Sequence, residues 1–412
     1  MLSPYTVLDL TGGHGDLASM LLGDMGATVI KVEPPGGAAA RNEPPFIEDA
    51  PKSEGSLPFF AFNRNKQGIT LDLKLEAGRN VLRCLVEKAD FLFESGQPAS
   101  LDSLGLGFDE LKEINPRLVH VAISAYGWDG PHADYLANDL TIAAMGGPMS
   151  LQGVPDRAPV RLSVPQVWLH TGAEAATAAM TAHALMVRTG EAQFVDVSAQ
   201  ACMVATMLQG ISANAIQGRD YNRGGSLLQL GQATFPVVFD CADGYVVLIP
   251  SGPTLAVMVP WFVEDGLVPE SWIDGEEWPS YHMRLLQGQE INYSLEEVLG
   301  AITNYVAKYT KNELLERGLR DGVTLAPVND VGDLAKFQHL EERGYWLPAP
   351  LPNSEETRMP GLVARMSKTP MSVRRWAPAR GEHNQQVLQS MLGLDDAEIT
   401  QATGGSLGRR SE

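Results

Sequence analysis

Tyr5-Thr-Val-Leu-Asp-Leu-Thr-Gly-Gly-His-Gly15 is an apolar run that ends in glycines; Leu17 to Met25 follows with helical apolar spacing, and Thr28-Val-Ile-Lys-Val-Glu33 closes the stretch. This spacing predicts strand, turn, helix and strand, the signature of a parallel βαβ unit. The turn resembles a phosphate-binding loop in composition only. Gly12, Gly13 and Gly15 do not form GxGxxG, and Asp16 stands where a helix N-terminus would meet an anion, so dinucleotide binding is disfavoured.

Working outward, residues 34 to 58 are rich in Pro, Gly, Ala and acids without periodicity and read as a surface loop. The polar group Asn63-Arg-Asn-Lys66 precedes the strand Gly68 to Leu73; it reads either as an anion-holding turn or as a solvated connection. Helices are expected at Glu76 to Lys88, Phe108 to Ile114, Asp139 to Met145, Gly172 to Val187 and Ala199 to Gly210, with strands at Asp90 to Phe93, Leu118 to Ser124 and Gln193 to Ser198. That alternation is α/β. After Gly224-Gly225 the texture changes to a hairpin, Thr234 to Phe239 and Tyr245 to Pro250, turning at Ala242-Asp-Gly244. The expected division is a first part of the large domain over 1–215, a small domain over 225–330 and a return to the large domain over 331–412, with 406–412 frayed.

The chain has 412 residues, 31 Lys and Arg against 50 Asp and Glu, and a formal net charge of −19. Nucleic acids and anionic membranes are bound through clustered cations, so such partners are disfavoured. Three scattered cysteines, with no CxxC pair, suit a reducing compartment. No signal-peptide pattern and no run of roughly 18 apolar residues occurs, so the expectation is a cytoplasmic protein. The eight histidines form no HxH or HxxxH pair, and no GxSxG occurs, which argues against a metal centre and a nucleophile elbow. His14, His170 and His183 read as structural, and Cys202 as a buried, inert thiol. Asp139 and Glu174 are carboxylates in apolar surroundings. Each is a candidate base or nucleophile; Asp139 also suits the N-cap of a helix, and Glu174 the first turn of one.

Several ordered motifs together resemble the class III coenzyme A transferase family, and the likeness covers nearly the whole chain. They include Val7-Leu-Asp-Leu10, Leu21-Leu-Gly-Asp-Met-Gly-Ala-Thr-Val-Ile-Lys-Val-Glu33, Asn63-Arg-Asn-Lys66, Ile69-Thr-Leu-Asp-Leu73, Leu104-Gly-Leu-Gly107, Gln193-Phe-Val-Asp-Val197, Pro327-Val-Asn329 and Gly381-Glu-His383. The resemblance implies a large Rossmann-like domain built from both chain ends, a smaller α+β domain, and an interlocked dimer. It also implies transfer of coenzyme A from a thioester to a carboxylic acid through an aspartate that forms an acyl anhydride and then a thioester.

This chain departs from the family where that chemistry resides. The nucleophile segment reads Arg161-Leu-Ser-Val-Pro-Gln-Val-Trp168-Leu169, placing Trp168 at the aspartate position, and residues 160 to 173 contain no Asp or Glu. An indole forms no anhydride. The racemase branch uses a Gly-His-Asp motif, which stands here as Ala137-Asn-Asp139. The family run Glu-Asn-Phe-Arg-Pro-Gly is Glu94-Ser-Gly-Gln-Pro-Ala99, and the arginine before Leu-Gly-Leu is Ser103. By the same resemblance Arg41, Asn63, Arg64 and Lys66 are the coenzyme A contacts that remain. The expectation is a catalytically silent subunit, with no cofactor of its own, paired in a heterodimer or heterotetramer with an Asp-containing paralogue. Coenzyme A thioester would be the substrate, not necessarily held by this subunit. Two alternatives stand beside it: an active enzyme using Glu174 or Asp139, and a non-enzymatic scaffold.

Overall fold

The computed structural model describes residues 1–47, 50–51, 54–218, 220–230, 233–351 and 357–405. The frayed end expected at 406–412 lies outside them. Contacts divide the chain into two units, one of Met1–Ser150, Arg161–Asp220 and Arg343–Glu412, the other of Leu151–Val160 and Tyr221–Glu342.

In the first unit, β1 (Thr6–Leu10), α1 (Asp16–Asp24) and β2 (Thr28–Glu33) form the βαβ unit that the opening sequence predicts. α2 (Leu57–Phe62), β3 (Lys66–Thr70), α3 (Glu76–Val86), β4 (Phe91–Ser95), α4 (Phe108–Ile114), β5 (Val119–Ser124), α5 (Asp139–Met145), α6 (Val167–Thr189) and β6 (Gln193–Ser198) continue it. The six strands make one parallel sheet in the order β3-β2-β1-β4-β5-β6. Side chains alternate between its faces. Leu8, Ile30 and Leu92 face a core with Leu82, Leu85 and Val86 of α3, whereas Val7, Val29 and Phe91 face Ala18 and Leu22 of α1 and Ala175 and Ala179 of α6. α6 approaches α1 so closely that a Cβ on Gly172 would stand 2.9 Å from the Leu17 Cβ.

The chain end closes the β3 edge with α15 (Asn384–Leu392) and α16 (Asp396–Ala402). Earlier in the chain, α7 (Ala199–Ala205) and α8 (Leu208–Gln217) follow β6. His383 Nδ1 accepts from the Gly68 N–H at 3.2 Å, and Asn384 Oδ1 accepts from the Thr70 N–H at 2.8 Å. Donors that an edge strand would leave open are thereby satisfied.

The second unit holds β7 (Leu227–Leu230) paired with β8 (Ala233–Pro236), and an antiparallel sheet β11-β10-β9 built from Leu325–Pro327, Gly244–Leu248 and Val238–Cys241. α9 (Gly252–Glu264), α10 (Tyr281–Leu286), α11 (Leu295–Val306) and α12 (Lys311–Asp321) surround it, and Trp261, Phe262, Trp278, Tyr281 and Tyr305 fill its core. α13 (Val331–Lys336) and α14 (Gln338–Glu342) lead out, and β12 (Trp346–Pro348) pairs with β13 (Arg358–Pro360) in the first unit.

Three local expectations change. The stretch 34–58 is not loop throughout, because α2 begins at Leu57, capped by Ser56. The helix expected from Gly172 starts at Val167, and the one expected over Ala199 to Gly210 is two helices, α7 and α8.

Candidate active site

Asp9 and Lys31 are register partners on β1 and β2, and Lys66 opens β3. All three side chains are buried, and they meet at the N-terminal end of α1. Lys31 Nζ donates to Asp16 Oδ1 at 2.6 Å and to Asp9 Oδ1 at 3.2 Å; Lys66 Nζ donates to Asp9 Oδ2 at 2.7 Å, to Asn63 Oδ1 at 2.9 Å and to the Asp16 carbonyl at 2.9 Å. Burial alone would raise the Asp9 carboxyl, but the Lys31 and Lys66 ammonium groups outweigh it and hold the carboxyl well below its usual range. Burial disfavours the Lys31 charge, yet Asp16 and Asp9 push it up to about 12. At Lys66, which shares the same carboxylates, burial wins and the value falls. Two carboxylates face two ammonium groups, so the cluster is neutral as a whole.

The other residues that the resemblance offers as coenzyme A contacts are committed in the same way. Arg41 grips Glu33 through two hydrogen bonds of 2.7 Å, donates to the Pro378 carbonyl at 3.0 Å and lies 3.8 Å above the Phe59 ring. Asn63 Nδ2 donates to Asp16 Oδ2 at 3.0 Å. Arg64 pairs with Asp24 at 2.7 Å and also donates to the Pro360 and Gly361 carbonyls. All three, like Lys66, are buried. The structure therefore gives Arg41, Asn63, Arg64 and Lys66 partners inside the fold, in place of donors turned to a ligand.

The glycine turn between β1 and α1 is shaped by packing. Gly15 has φ of +100°, and a Cβ there would fall 2.4 Å from Ile123 Cδ1 of β5. Asp16, the first residue of α1, fills the anion position at that helix end with its own carboxylate, which accepts from Lys31, Asn63 and, at 2.6 Å, the Thr11 hydroxyl. His14 projects from the turn and stacks on Trp168, ring centroids 3.8 Å apart and planes at 7°. Burial depresses the His14 pKa against the opposing pull of Asp16, so a neutral imidazole covers the indole. Trp168 is the second residue of α6 and is half-buried.

Asp139 lies beside this stack, in a role the sequence did not reveal. Asn138, not Asp139, caps α5, accepting from the Thr141 N–H. Asp139 Oδ1 instead accepts from the Gln166 and Val167 N–H groups at 2.9 and 2.8 Å, satisfying donors at the start of α6. Glu174 is exposed, and its expected place in a first turn is corrected by the earlier start of α6. Six residues beyond Trp168, it is displaced by about 9 Å along the axis and turned to another side of the helix. It neighbours Cys202, whose thiol is pushed up by burial and then by the Glu174 charge. The Ser251-Gly-Pro-Thr254 segment starts α9, with Ser251 as its cap and the Gly252 N–H donating to His282 Nδ1 at 2.9 Å.

A cleft of about 530 Å³ opens at the C-terminal ends of β1, β2 and β4, where the strand order reverses and ligands of open α/β sheets bind. Leu10, Val32, Leu71, Leu73, Leu101 and Leu104 form its apolar walls, with Glu33, Asp72, Lys74, Glu94, Ser95 and Ser100 among them. Glu33 belongs to Arg41, and Glu94 meets His120 at 2.7 Å. Lys74, a lining residue that sequence reasoning missed, is exposed and has no ion pair among the described residues. Its position just after Leu71-Asp-Leu73 is the signal that could have found it. Among the described residues no group of three or more His, Cys, Asp or Glu side chains could hold a metal, and no helix is long and apolar enough to cross a membrane.

Residues 2–384 match the model of CoA-transferase family III. The chain is 33% identical over 394 residues to the succinyl-CoA:(R)-benzylsuccinate CoA-transferase subunit BbsE of Thauera aromatica, covering 94% of this chain and 93% of the relative. It is 29% identical to the succinyl-CoA–L-malate CoA-transferase beta subunit of Chloroflexus aurantiacus, over 92% of this chain and 91% of the other. Among solved structures, a CAIB/BAIF family protein from Brucella suis superposes with a TM-score of 0.80 at 26% identity, covering 95% of this chain and 99% of that one. With the six-stranded parallel sheet and the motifs that build it, these likenesses establish that the chain belongs to CoA-transferase family III.

Proposed function

We propose that this chain is the catalytically silent subunit of a heteromeric class III coenzyme A transferase, in which an Asp-containing paralogue performs the transfer. The observation that carries the proposal is the face-to-face stack of His14 on Trp168, the residue that the resemblance aligns with the family's nucleophilic aspartate. Two fallback carboxylates do not replace it. Asp139 Oδ1 is occupied by two backbone donors, and Glu174 lies on another side of α6. The subunit holds coenzyme A weakly, because Lys74 is the one unpaired cation of the cleft among the described residues, and the loop after β4 has Gly96, Gln97 and Ser103 where the resemblance sets cationic or aromatic contacts. Each missing guanidinium removes a charge-assisted hydrogen bond of about 1.5 to 3 kcal/mol.

A surface for a partner accompanies this. None of the ten residues of α8 is buried, although Leu208, Ile211 and Ile216 are 68%, 50% and 82% exposed. A helix this short gains its stability from packing an apolar face, so α8 is read as covered by the partner subunit in an interlocked assembly. Two relatives carry subunit in their names, and the donor named for both is succinyl-CoA. Succinyl-CoA is therefore the first donor to test, with dicarboxylic acids as acceptors, in a cytoplasmic enzyme.

The test is to purify the chain alone and co-expressed with an Asp-containing paralogue, and to assay coenzyme A transfer from succinyl-CoA. Activity is expected only for the pair. Turnover by the isolated chain at ordinary enzyme rates, or hydroxylamine modification of its Asp139 or Glu174 during turnover, would overturn the proposal.

A further inference from the structure

We propose that the hollow formed by residues 343–347 and 362–371 is a binding site for a small organic carboxylate with an apolar body. The hollow measures about 300 Å³, at the small end of ligand pockets. Leu347, Leu362, Met366 and Met371 make it apolar, and Arg343 and Arg365 are the two cationic residues among its described lining. Both arginines are exposed, and neither has a hydrogen-bond or ion-pair partner among the described residues. Elsewhere on this acidic surface Arg79, Arg83 and Arg320 each find a carboxylate.

The walls are fixed by backbone pairing. β12 and β13 are in register through Trp346–Pro360, Leu347–Met359 and Pro348–Arg358. Beyond β13 the backbone runs so close to Tyr345 that a Cβ on Gly361 would fall 2.0 Å from its carbonyl oxygen. On the other side, Gly344 has φ of +59°, and a Cβ there would stand 4.0 Å from Arg365 Nη2. Arg365 thus reaches the chain next to Arg343, and both arginines line one hollow that has no carboxylate among its described lining residues. An anion there would relieve their repulsion. Guanidinium groups match a planar carboxylate through paired donors, and the apolar walls suit a hydrocarbon body better than a strongly hydrated inorganic anion. This inference does not depend on the silence of the Trp168 site.

The experiment titrates the full-length chain with hydrocinnamate, followed by calorimetry and by the arginine Nε–H resonances. Binding is expected, with Arg343→Gln and Arg365→Gln each weakening it by about tenfold or more, the equivalent of one charge-assisted hydrogen bond. Because both side chains are exposed and unpaired, the variants should melt as the parent does, which keeps a loss of binding interpretable. The neutral amide of the same acid should not bind, inorganic phosphate should not displace hydrocinnamate, and Lys74→Gln at the cleft should leave its affinity unchanged. The proposal is overturned by absence of binding, by an unchanged affinity in the double arginine variant, or by displacement with phosphate or coenzyme A.

Discussion

The buried cluster of Asp9, Asp16, Lys31 and Lys66 and the stacked pair of His14 and Trp168 each draw a residue from 14 to 16, at the turn into α1, and they have fared differently. In the first, every charge has a partner within the protein, and the family's motif residues are in place. In the second, an indole, which we propose stands at the family's carboxylate position, faces a neutral imidazole. The difference follows from what each group answers to. Removing one member of a buried, matched cluster leaves an uncompensated charge in the interior, so the fold itself requires all four. A nucleophile answers to substrate, and an aromatic side chain can take its place without leaving an unpaired charge behind.

The strongest way to break this comparison is to unbalance the cluster. Lys31→Met leaves Asp9 and Asp16 facing Lys66 alone, and should destabilise the first unit by about 3–5 kcal/mol, read as a lower urea midpoint. The pH dependence has a definite sign. Lys31 is raised from its ordinary 10.5 to about 12, so its contribution is complete below pH 10.5 and is lost as pH rises through 12. Asp9 is held below its ordinary 3.8, so its contribution is present above that value and is lost as pH falls below it. Urea midpoints across pH should therefore fall at both extremes, and Lys31→Met should lessen the alkaline fall, leaving the part that comes from tyrosines such as Tyr281, which burial pushes up to about 12.

At the stacked pair, Trp168→Ala should cost about 2–4 kcal/mol, less than full burial would imply, through lost area and the lost stack on His14. Trp168→Asp should restore the family residue without restoring coenzyme A transfer, because Gly96, Gln97 and Ser103 remain. Robust transfer by this variant in a steady-state assay would show that the grip on coenzyme A survives and would collapse the distinction between the two regions.

Much of this was legible in the sequence because it is periodic or local. The βαβ opening follows from two apolar runs and the helical spacing between them, from Thr6 to Glu33, and the proposed place of Trp168 rests on the register of its neighbours in the resemblance. What was hidden depends on partners remote along the chain. Asn63, Arg64 and Lys66 read either as an anion-holding turn or as a solvated connection, yet their partners Asp16, Asp24 and Asp9 lie 47, 40 and 57 residues away. The early start of α6 depends on Asp139, 27 residues before Gln166. No local spacing discloses such pairings, and a helix start fixed by a distant carboxylate looks from the sequence like a loop.

That capping role gives a smaller test. Asp139→Ala should cost about 1 kcal/mol, as for other lost helix caps, whereas Asp139→Asn should retain most of the stability because its amide oxygen still accepts. Equal losses in both, measured by thermal melting, would point to the charge of Asp139 in place of its hydrogen bonds.

The smallest effect lies in the loop after β4, where the resemblance aligns the family's closing glycine with Ala99. Ala99 has φ of +58°, in the left-handed region that crowds its Cβ against the backbone. Ala99→Gly removes that strain but gives the unfolded chain more freedom, so the net gain should be about 0.5–1 kcal/mol, seen as a modest rise in melting temperature. Its sign bears on the comparison. A gain would mean that a site loop kept its backbone shape while losing the residue suited to it, as a segment no longer tuned for ligand contact would. A loss would mean that the loop has adapted around the methyl group, and that its departures from the family form a reworked surface.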